Sequence, residues 1–301
     1  MSRDAASRSS GELVAALNEV LQALQEQPAS DETVHTARKG IKRARAALRL
    51  LRAPLGEALF NRENTALRDA GRCLAPLRDA KSLVDAYEAF RDRHPRRLQG
   101  EPYDALALQL RARLDGQRRE LERSGSLLQT CMELITTCRE QVTQRHIDAA
   151  HALAIPAGLQ RIYRKGRKTR ALAHRKSSPH ALHEWRKQVK YLSNALKVLD
   201  ASRELRKITK HSDKLADRLG EDHDLAELLQ FLGDPQTELD PGQRSELARL
   251  IEGRRTRLQK KAQAIGSKIY RKKPGRFLQP LIKKKRGNRV VEIEHNSAAS
   301  K

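Results

Sequence analysis

Apolar residues recur along this chain at three- and four-residue intervals almost without interruption, which is the helical period. "ELVAALNEVLQALQEQ" from Glu12 is the first such run, ending before Pro28, and a second opens at Ser30 or Asp31, either of which can cap a helix. The same period predicts further helices at about 57 to 72, 76 to 93, 101 to 123, 126 to 150, 156 to 174, 178 to 200, 203 to 219, 223 to 232 and 241 to 268. No stretch alternates convincingly as a strand, so the predicted class is all-α. Long helices separated by short breaks such as "QPAS", "KSSPH" and "GDPQ" predict bundles of antiparallel neighbours. Residues 1–10 are small and polar and are expected to be disordered, and the tail beyond Leu281 loses the period.

The polar sides of these helices change the picture. In "VHTARKGIKRARAALRLL" the residues His35, Arg38, Lys39 and Lys42 fall on one stripe at about 100° per residue, with Arg45 and Arg49 at its edge. Val34, Ala37, Ile41, Ala44, Leu48 and Leu51 take the other side. "HEWRKQVKYLSNALKV" repeats the arrangement with His183, Arg186, Lys187 and Lys190, continued by Lys197. Further on, "LAPLRDAKSLV" from Leu74 aligns with "LGEDHDLAELL" from Leu219 and pairs Asp79 with Asp224. The chain therefore reads as two copies of one helical unit. A third basic stripe, Lys207, Lys210, His211, Lys214 and Arg218, follows the second copy. Solvated helix faces usually mix Glu with Lys at four-residue spacing, because such pairs stabilise a helix while like charges weaken it. Three self-repelling stripes imply a bound polyanion that offsets the repulsion; the bland alternative is accidental basic surface in a highly charged chain.

Composition narrows the partner. The 301 residues include 61 Lys plus Arg against 37 Asp plus Glu, a formal net charge of +24, while hydrophobic residues make up 38% and suffice for a strictly patterned core. Aromatics are 3%, too few for the stacking platforms that usually grip single strands, so an anion without bases is favoured. Cys73, Cys131 and Cys138 form no paired framework, since the last two lie two helical turns apart, roughly 10 Å, beyond disulfide reach. That pattern suits a reducing compartment, and with no signal-peptide core and no membrane-length apolar stretch the expected location is cytoplasmic.

At the two H-x-x-R-K-x-x-K helices, the "RD" and "HD" segments after them, "YRKGRK" from Tyr163 and "IYRKKPGRF" from Ile269, the sequence resembles the CHAD family, the conserved-histidine α-helical domain. The resemblance spans residues 11 to 282, with halves at about 11–152 and 153–282 and a basic tail over 283–301. It implies two four-helix bundles related by a pseudo-twofold, an internal duplication, around a basic central channel. It also implies binding of inorganic polyphosphate, association with polyphosphate granules, and His35, Arg38, Lys39, Lys42, His183, Arg186, Lys187 and Lys190 as channel lining. Arg45, Arg49, Lys197, Lys207, Lys210, His211 and Lys214 extend the candidate contacts from the stripes themselves. The sequence departs from the family pattern at Ser193 and Asn194, where an Arg and a Tyr are usual, and at Leu74-Ala75, where Leu-Gly is usual. "EIEHN" from Glu292 only half imitates the E-x-E-x-K of the CYTH domain that often accompanies this unit.

A base-free chain of phosphates calls for a lane of cations, with Arg as a planar fork and Lys as a compact charge. Protonated histidines would add to it, so binding is expected to weaken as pH rises through the histidine range. No catalytic residue, metal or cofactor is expected. Two other readings compete: sequence-independent nucleic-acid binding, which the net charge alone would permit, and a metal-dependent phosphohydrolase built on His223-Asp224 with Glu221 and Asp222. The expected reading of "GEDHD" is instead a helix-capping turn whose carboxylates pair with nearby cations.

Overall fold

The computed structural model describes residues 5–26, 30–147, 149–199 and 203–279, and among them every regular element is helical. The tail beyond 279, with its basic run and "EIEHN", lies outside the described residues, as do residues 1–4. Among the described residues the α-helices follow in order: α1 (Ala5–Gln25), α2 (Asp31–Leu50), α3 (Arg52–Leu55), α4 (Glu57–Cys73), α5 (Ala75–Asp92), α6 (Glu101–Arg123), α7 (Gly125–Thr143), α8 (Ile155–Lys176), α9 (Pro179–Val198), α10 (Arg203–Leu232) and α11 (Pro241–Ile269), and residues 274–279 are also helical. A 3-10 turn, Ala149–Leu153, joins α7 to α8.

The local signals explain most boundaries. Ser30 caps α2 in a reciprocal capping box with Thr33, and Asp240 does the same for α11 with Gln243. Ser178 caps α9 by accepting from the Ala181 amide, and Pro179 follows at the first helical position, where its missing amide costs nothing. Two expectations are corrected. Helix α1 begins at Ala5, inside the segment expected to be disordered, because Ala5 and Ala6 are fully buried and the Ser9 hydroxyl donates to the Ala5 carbonyl at 2.7 Å. The break expected near Gly220 is absent, so "GEDHD" lies in mid-helix and caps nothing. Leu215, Leu219, Leu225, Leu228 and Leu232 keep the apolar stripe unbroken there, and no proline interrupts it.

Helices α1, α2, α4 and α7 pack around one another as a first bundle, and α8, α9, α10 and α11 as a second. The α5–α6 hairpin rests on α10 through α5. The bundles meet chiefly where α2 lies on α9, with α8 also against α2. Their apolar stripes form one connected core, in which each fully buried leucine contributes roughly 1.5–3 kcal/mol. Trp185 is fully buried in the second bundle, and Gly266 permits it: a Cβ there would lie 2.5 Å from the indole Cζ2. Within the second bundle Glu221 pairs with Arg254 of α11, and it also receives Arg93 just past the end of α5; Gln109 of α6 donates to the Gln236 carbonyl at 2.6 Å, tying the hairpin to that bundle. None of the described helices is long and apolar enough to cross a membrane.

Candidate functional site: a basic channel between the bundles

Where α2 crosses α9 the two basic stripes face each other, and the space between them has two adjoining lobes. The narrower, about 360 Å³, is lined by Arg38, Lys42 and Arg45 of α2, Arg78 of α5, and His183, Arg186, Lys187 and Lys190 of α9. The wider, about 640 Å³, is lined by His35, Arg38, Lys39, Lys42, Arg186, Lys190 and Lys197, with Asn194 also on its wall. Arg38, Lys42, Arg78, Arg186 and Lys190 border both lobes and so form the waist between them. The stripes reach this waist because Val34, Ala37, Ile41, Ala44 and Leu48 on α2, and Leu182, Trp185, Val189, Leu192 and Leu196 on α9, are drawn into their bundle cores. Hydrophobic burial of one face thus aims the other face inward at the neighbouring bundle.

The electrostatics are those of crowded cations. Burial, followed by the neighbouring Arg38, Arg186, Arg78 and Lys190 charges, lowers the Lys42 ammonium to about 7, although part of its side chain is exposed. Burial likewise lowers Arg38, Arg186 and Lys190. The Nε atoms of Arg38 and Arg186, Nη1 of Arg78 and Nδ1 of His183 are buried without a hydrogen-bond partner among the described residues. All four nitrogens belong to residues that line the channel, where a group that accepts hydrogen bonds could meet them. Arg38 is held in place meanwhile by donating from Nη1 to the Gly71 carbonyl at 2.7 Å.

Carboxylates also border the narrower lobe, which the sequence stripes did not reveal. Asp79 lies 3.9 Å from Arg38, and burial pushes its carboxyl and that of Asp224 upward against the pull of Arg38 and Arg186 respectively. His223 Nε2 lies 3.0 Å from Glu227, and its ring stands 4.6 Å from that of His183. Burial pushes Glu227 upward, yet the bond from His223 and the surrounding cations hold it below its ordinary value. Burial, then His223, Arg186 and Lys187, lowers His183 to about 4. In the free protein His183 is therefore neutral at neutral pH, contrary to a simple picture of a cationic histidine lining the channel.

The other candidate residues go elsewhere. Arg49 borders neither lobe; its guanidinium stacks 3.8 Å from the Tyr191 ring centroid, donates to the Arg45 carbonyl at 2.7 Å, and is lowered to about 10 by burial. Lys207 and His211 line a separate depression outside the channel, and Lys210 and Lys214 are exposed and border neither lobe. Lys197 reaches the wider lobe but is paired with Asp213 at 2.9 Å. Ser193, one of the two departures from the family pattern, is buried and donates to the same Asp213. Arg78 was missed as a contact because its helix shows no basic stripe; only the neighbouring Asp79 had been aligned with Asp224.

Of the four residues of the phosphohydrolase reading, His223 and Asp224 line the narrower lobe, while Glu221 and Asp222 are turned to cations. Asp222 is buried on Arg255 at 3.2 Å and Gln259 at 2.9 Å, and Glu221 is occupied by Arg93, Arg218 and Arg254. Among the described residues no three His, Cys, Asp or Glu side chains come together in a way that could hold a metal ion. The pairing of these carboxylates with cations is as the sequence suggested, although their place in mid-helix is not.

Two helical bundles packed across a cation-lined channel define the class of protein. The sequence model of the CHAD domain matches residues 15–233, and the chain belongs to the CHAD domain family. A search of curated proteins finds no match. Among solved structures it is similar to the crystal structure of the CHAD domain from the plant Ricinus communis, with a TM-score of 0.58 and 21% identity over 86% of this chain and 89% of that one. At that identity the likeness speaks for the fold alone.

Proposed function

We propose that this chain binds inorganic polyphosphate, without catalysis of its own, in the channel between its bundles. The observation that carries the reading is the waist: Arg38 and Lys42 from α2, Arg78 from α5, and Arg186 and Lys190 from α9 border both lobes at once. Such a set destabilises the free protein through mutual repulsion and orphaned donors, and a chain of phosphates running from lobe to lobe relieves both. Lobes of about 360 and 640 Å³ suit a thin flexible polymer. Lobes of that volume leave no room to enclose a duplex. Tyr191 is the aromatic ring that borders the channel, and Arg49 already covers it, so stacked bases find no platform there.

The reading extends to the internal duplication, in which α2 corresponds to α9 and the start of α5 to the middle of α10, with Asp79 and Asp224 as equivalent residues. It extends also to a cytoplasmic location on polyphosphate granules, where binding would anchor the protein to the polymer. Exchanging Arg38→Glu together with Arg186→Glu tests the site: helical content by circular dichroism should persist while polyphosphate affinity collapses. Unchanged affinity would move the binding out of the channel. Sequence-independent nucleic-acid binding, the reading that +24 alone would support, is the alternative outcome of competition between polyanions.

A further inference from the structure

The third basic stripe is not absorbed by the channel. Lys207 and His211 of α10 instead meet Lys268 at the end of α11 and Arg271 and Lys272 just beyond it, around a depression of about 150 Å³. Ile208, Ile269 and Phe277 form its apolar floor. One carboxylate, Glu204, enters the ring and is taken by Lys272. Four cationic or ionisable side chains from two separate segments therefore converge with no acidic partner in the lining. A merely solvated surface has no reason to gather them, since like charges brought together cost free energy that an anion recovers.

The site is also built on a fixed frame. The Tyr163 hydroxyl lies 3.1 Å from the Ile269 carbonyl and 2.8 Å from the Lys272 carbonyl, and the Tyr163 ring stacks on Phe277 with centroids 3.9 Å apart. Gly166 lets Tyr270 press against α8, since a Cβ there would lie 2.4 Å from the Tyr270 hydroxyl. Those contacts hold the segment carrying Arg271 and Lys272 against the second bundle. On the other wall, His211 Nδ1 lies 2.7 Å from the Lys207 carbonyl. A carbonyl only accepts, so Nδ1 carries the hydrogen, and Nε2 remains for a ligand. Protonated, that nitrogen is a second donor; neutral, it can accept from a monohydrogen phosphate.

We propose that this depression is a second phosphate site, outside the channel, that takes one phosphate group or a short oligophosphate. Its volume of about 150 Å³ admits a phosphate group and is too little for a folded polymer. Nothing in this assignment requires the channel to bind polyphosphate. Should the channel do so, a long polymer emerging from it would meet the second site at high effective concentration, and affinity for long chains would exceed that for short ones.

The test uses tripolyphosphate as probe and the full chain in which Arg38→Glu and Arg186→Glu have removed the channel waist. Calorimetry on that variant should still find binding, and the imidazole resonance of His211 should shift on titration. Adding Lys207→Glu and Lys268→Glu should weaken the remaining binding by about tenfold or more, and the milder Lys207→Gln with Lys268→Gln should do so in part. Circular dichroism checks that each variant keeps its helices. The assignment is overturned if the channel variant binds no tripolyphosphate, or if the Lys207 and Lys268 changes leave its affinity and the His211 shift unaltered. Long-chain polyphosphate binding that Arg38→Glu with Arg186→Glu leaves unaltered and that Lys207→Glu with Lys268→Glu abolishes would instead remove the channel reading alone.

Discussion

Helices α2 and α10 carry basic stripes of the same spacing and have opposite fates. The α2 stripe faces α9 across a narrow gap, so burial and neighbouring cations lower both Arg38 and Lys42. The α10 stripe of Lys207, Lys210, His211 and Lys214 borders neither lobe of the channel. Periodicity fixes which face of a helix is polar; packing decides what that face looks at. The channel is therefore a product of two apolar stripes, on α2 and α9, that bury themselves in different bundles and leave their cations facing each other.

The largest effect should come from separating these two stripes by mutation. Arg38→Glu with Arg186→Glu should reduce polyphosphate affinity by about a hundredfold or more at fixed salt, corresponding to about 2.7 kcal/mol. Lys210→Glu with Lys214→Glu, the same change in charge on the exposed stripe, should cost only a few-fold, as screened surface charge does. Equal losses in a filter-binding or fluorescence titration would dissolve the distinction between channel and surface.

Ligand-induced stabilisation sharpens the contrast. Polyphosphate at about a hundred times its dissociation constant stabilises a native-state binder by about 2.7 kcal/mol, which for a chain of this size raises the melting temperature by about 5 °C. The Lys210 and Lys214 variant should keep that shift in differential scanning fluorimetry, and the Arg38 and Arg186 variant should lose it.

The pH dependence separates the stripes by chemistry. Lys42 titrates at about 7 in the free channel, and a phosphate chain draws it back towards its ordinary value of 10.5, so binding takes up a proton over that window. Affinity should fall as pH rises from 7 to 9, by up to about tenfold per unit. Lys42→Arg, always charged, should remove that slope. His183, lowered to about 4, adds a second fall at more acid pH as the solution passes towards the usual histidine range. For stability the sign reverses: the unfolded chain holds the Lys42 proton between about 7 and 10.5 when the native chain does not, so this group makes the free protein more stable as pH rises across that window. A flat affinity profile with an unaltered Lys42→Arg variant would contradict the crowding of the waist.

The smallest expected effect lies on the far side of the second bundle, where Tyr163→Phe removes the hydroxyl that meets the Ile269 and Lys272 carbonyls. It should lower stability in urea by about 1 kcal/mol. Channel affinity should not change, because Tyr163 borders neither lobe.

The helices and the α2 and α9 stripes were legible in the sequence because amphipathic periodicity is a local property, and the α6 boundaries agree with it to the residue. The continuity of α10 was not, since "LGEDHD" looks like a turn until Leu215, Leu219 and Leu225 are seen packed in one core. Tyr163 and the "IYRKKPGRF" segment stood out as motifs without a role; the structure shows Tyr163 stacked on Phe277 and bonded to the backbone of that segment. Arg78, Asp79, Asp224, His223 and Glu227 join the channel through packing of α5 on α10, a contact between distant segments that no local pattern encodes. Arg49 carried the stripe's spacing yet was diverted by the Tyr191 ring from the neighbouring bundle.

The most direct test of the channel as a shaped phosphate lane is competition at matched salt. Labelled long-chain polyphosphate would be bound to the protein and displaced in parallel by unlabelled polyphosphate, duplex DNA, single-stranded RNA and heparin. The account predicts displacement by polyphosphate at the lowest phosphate concentration, with the preference persisting as salt is raised. Equal displacement by all four would contradict it and leave the net charge of +24 as the sole basis of binding.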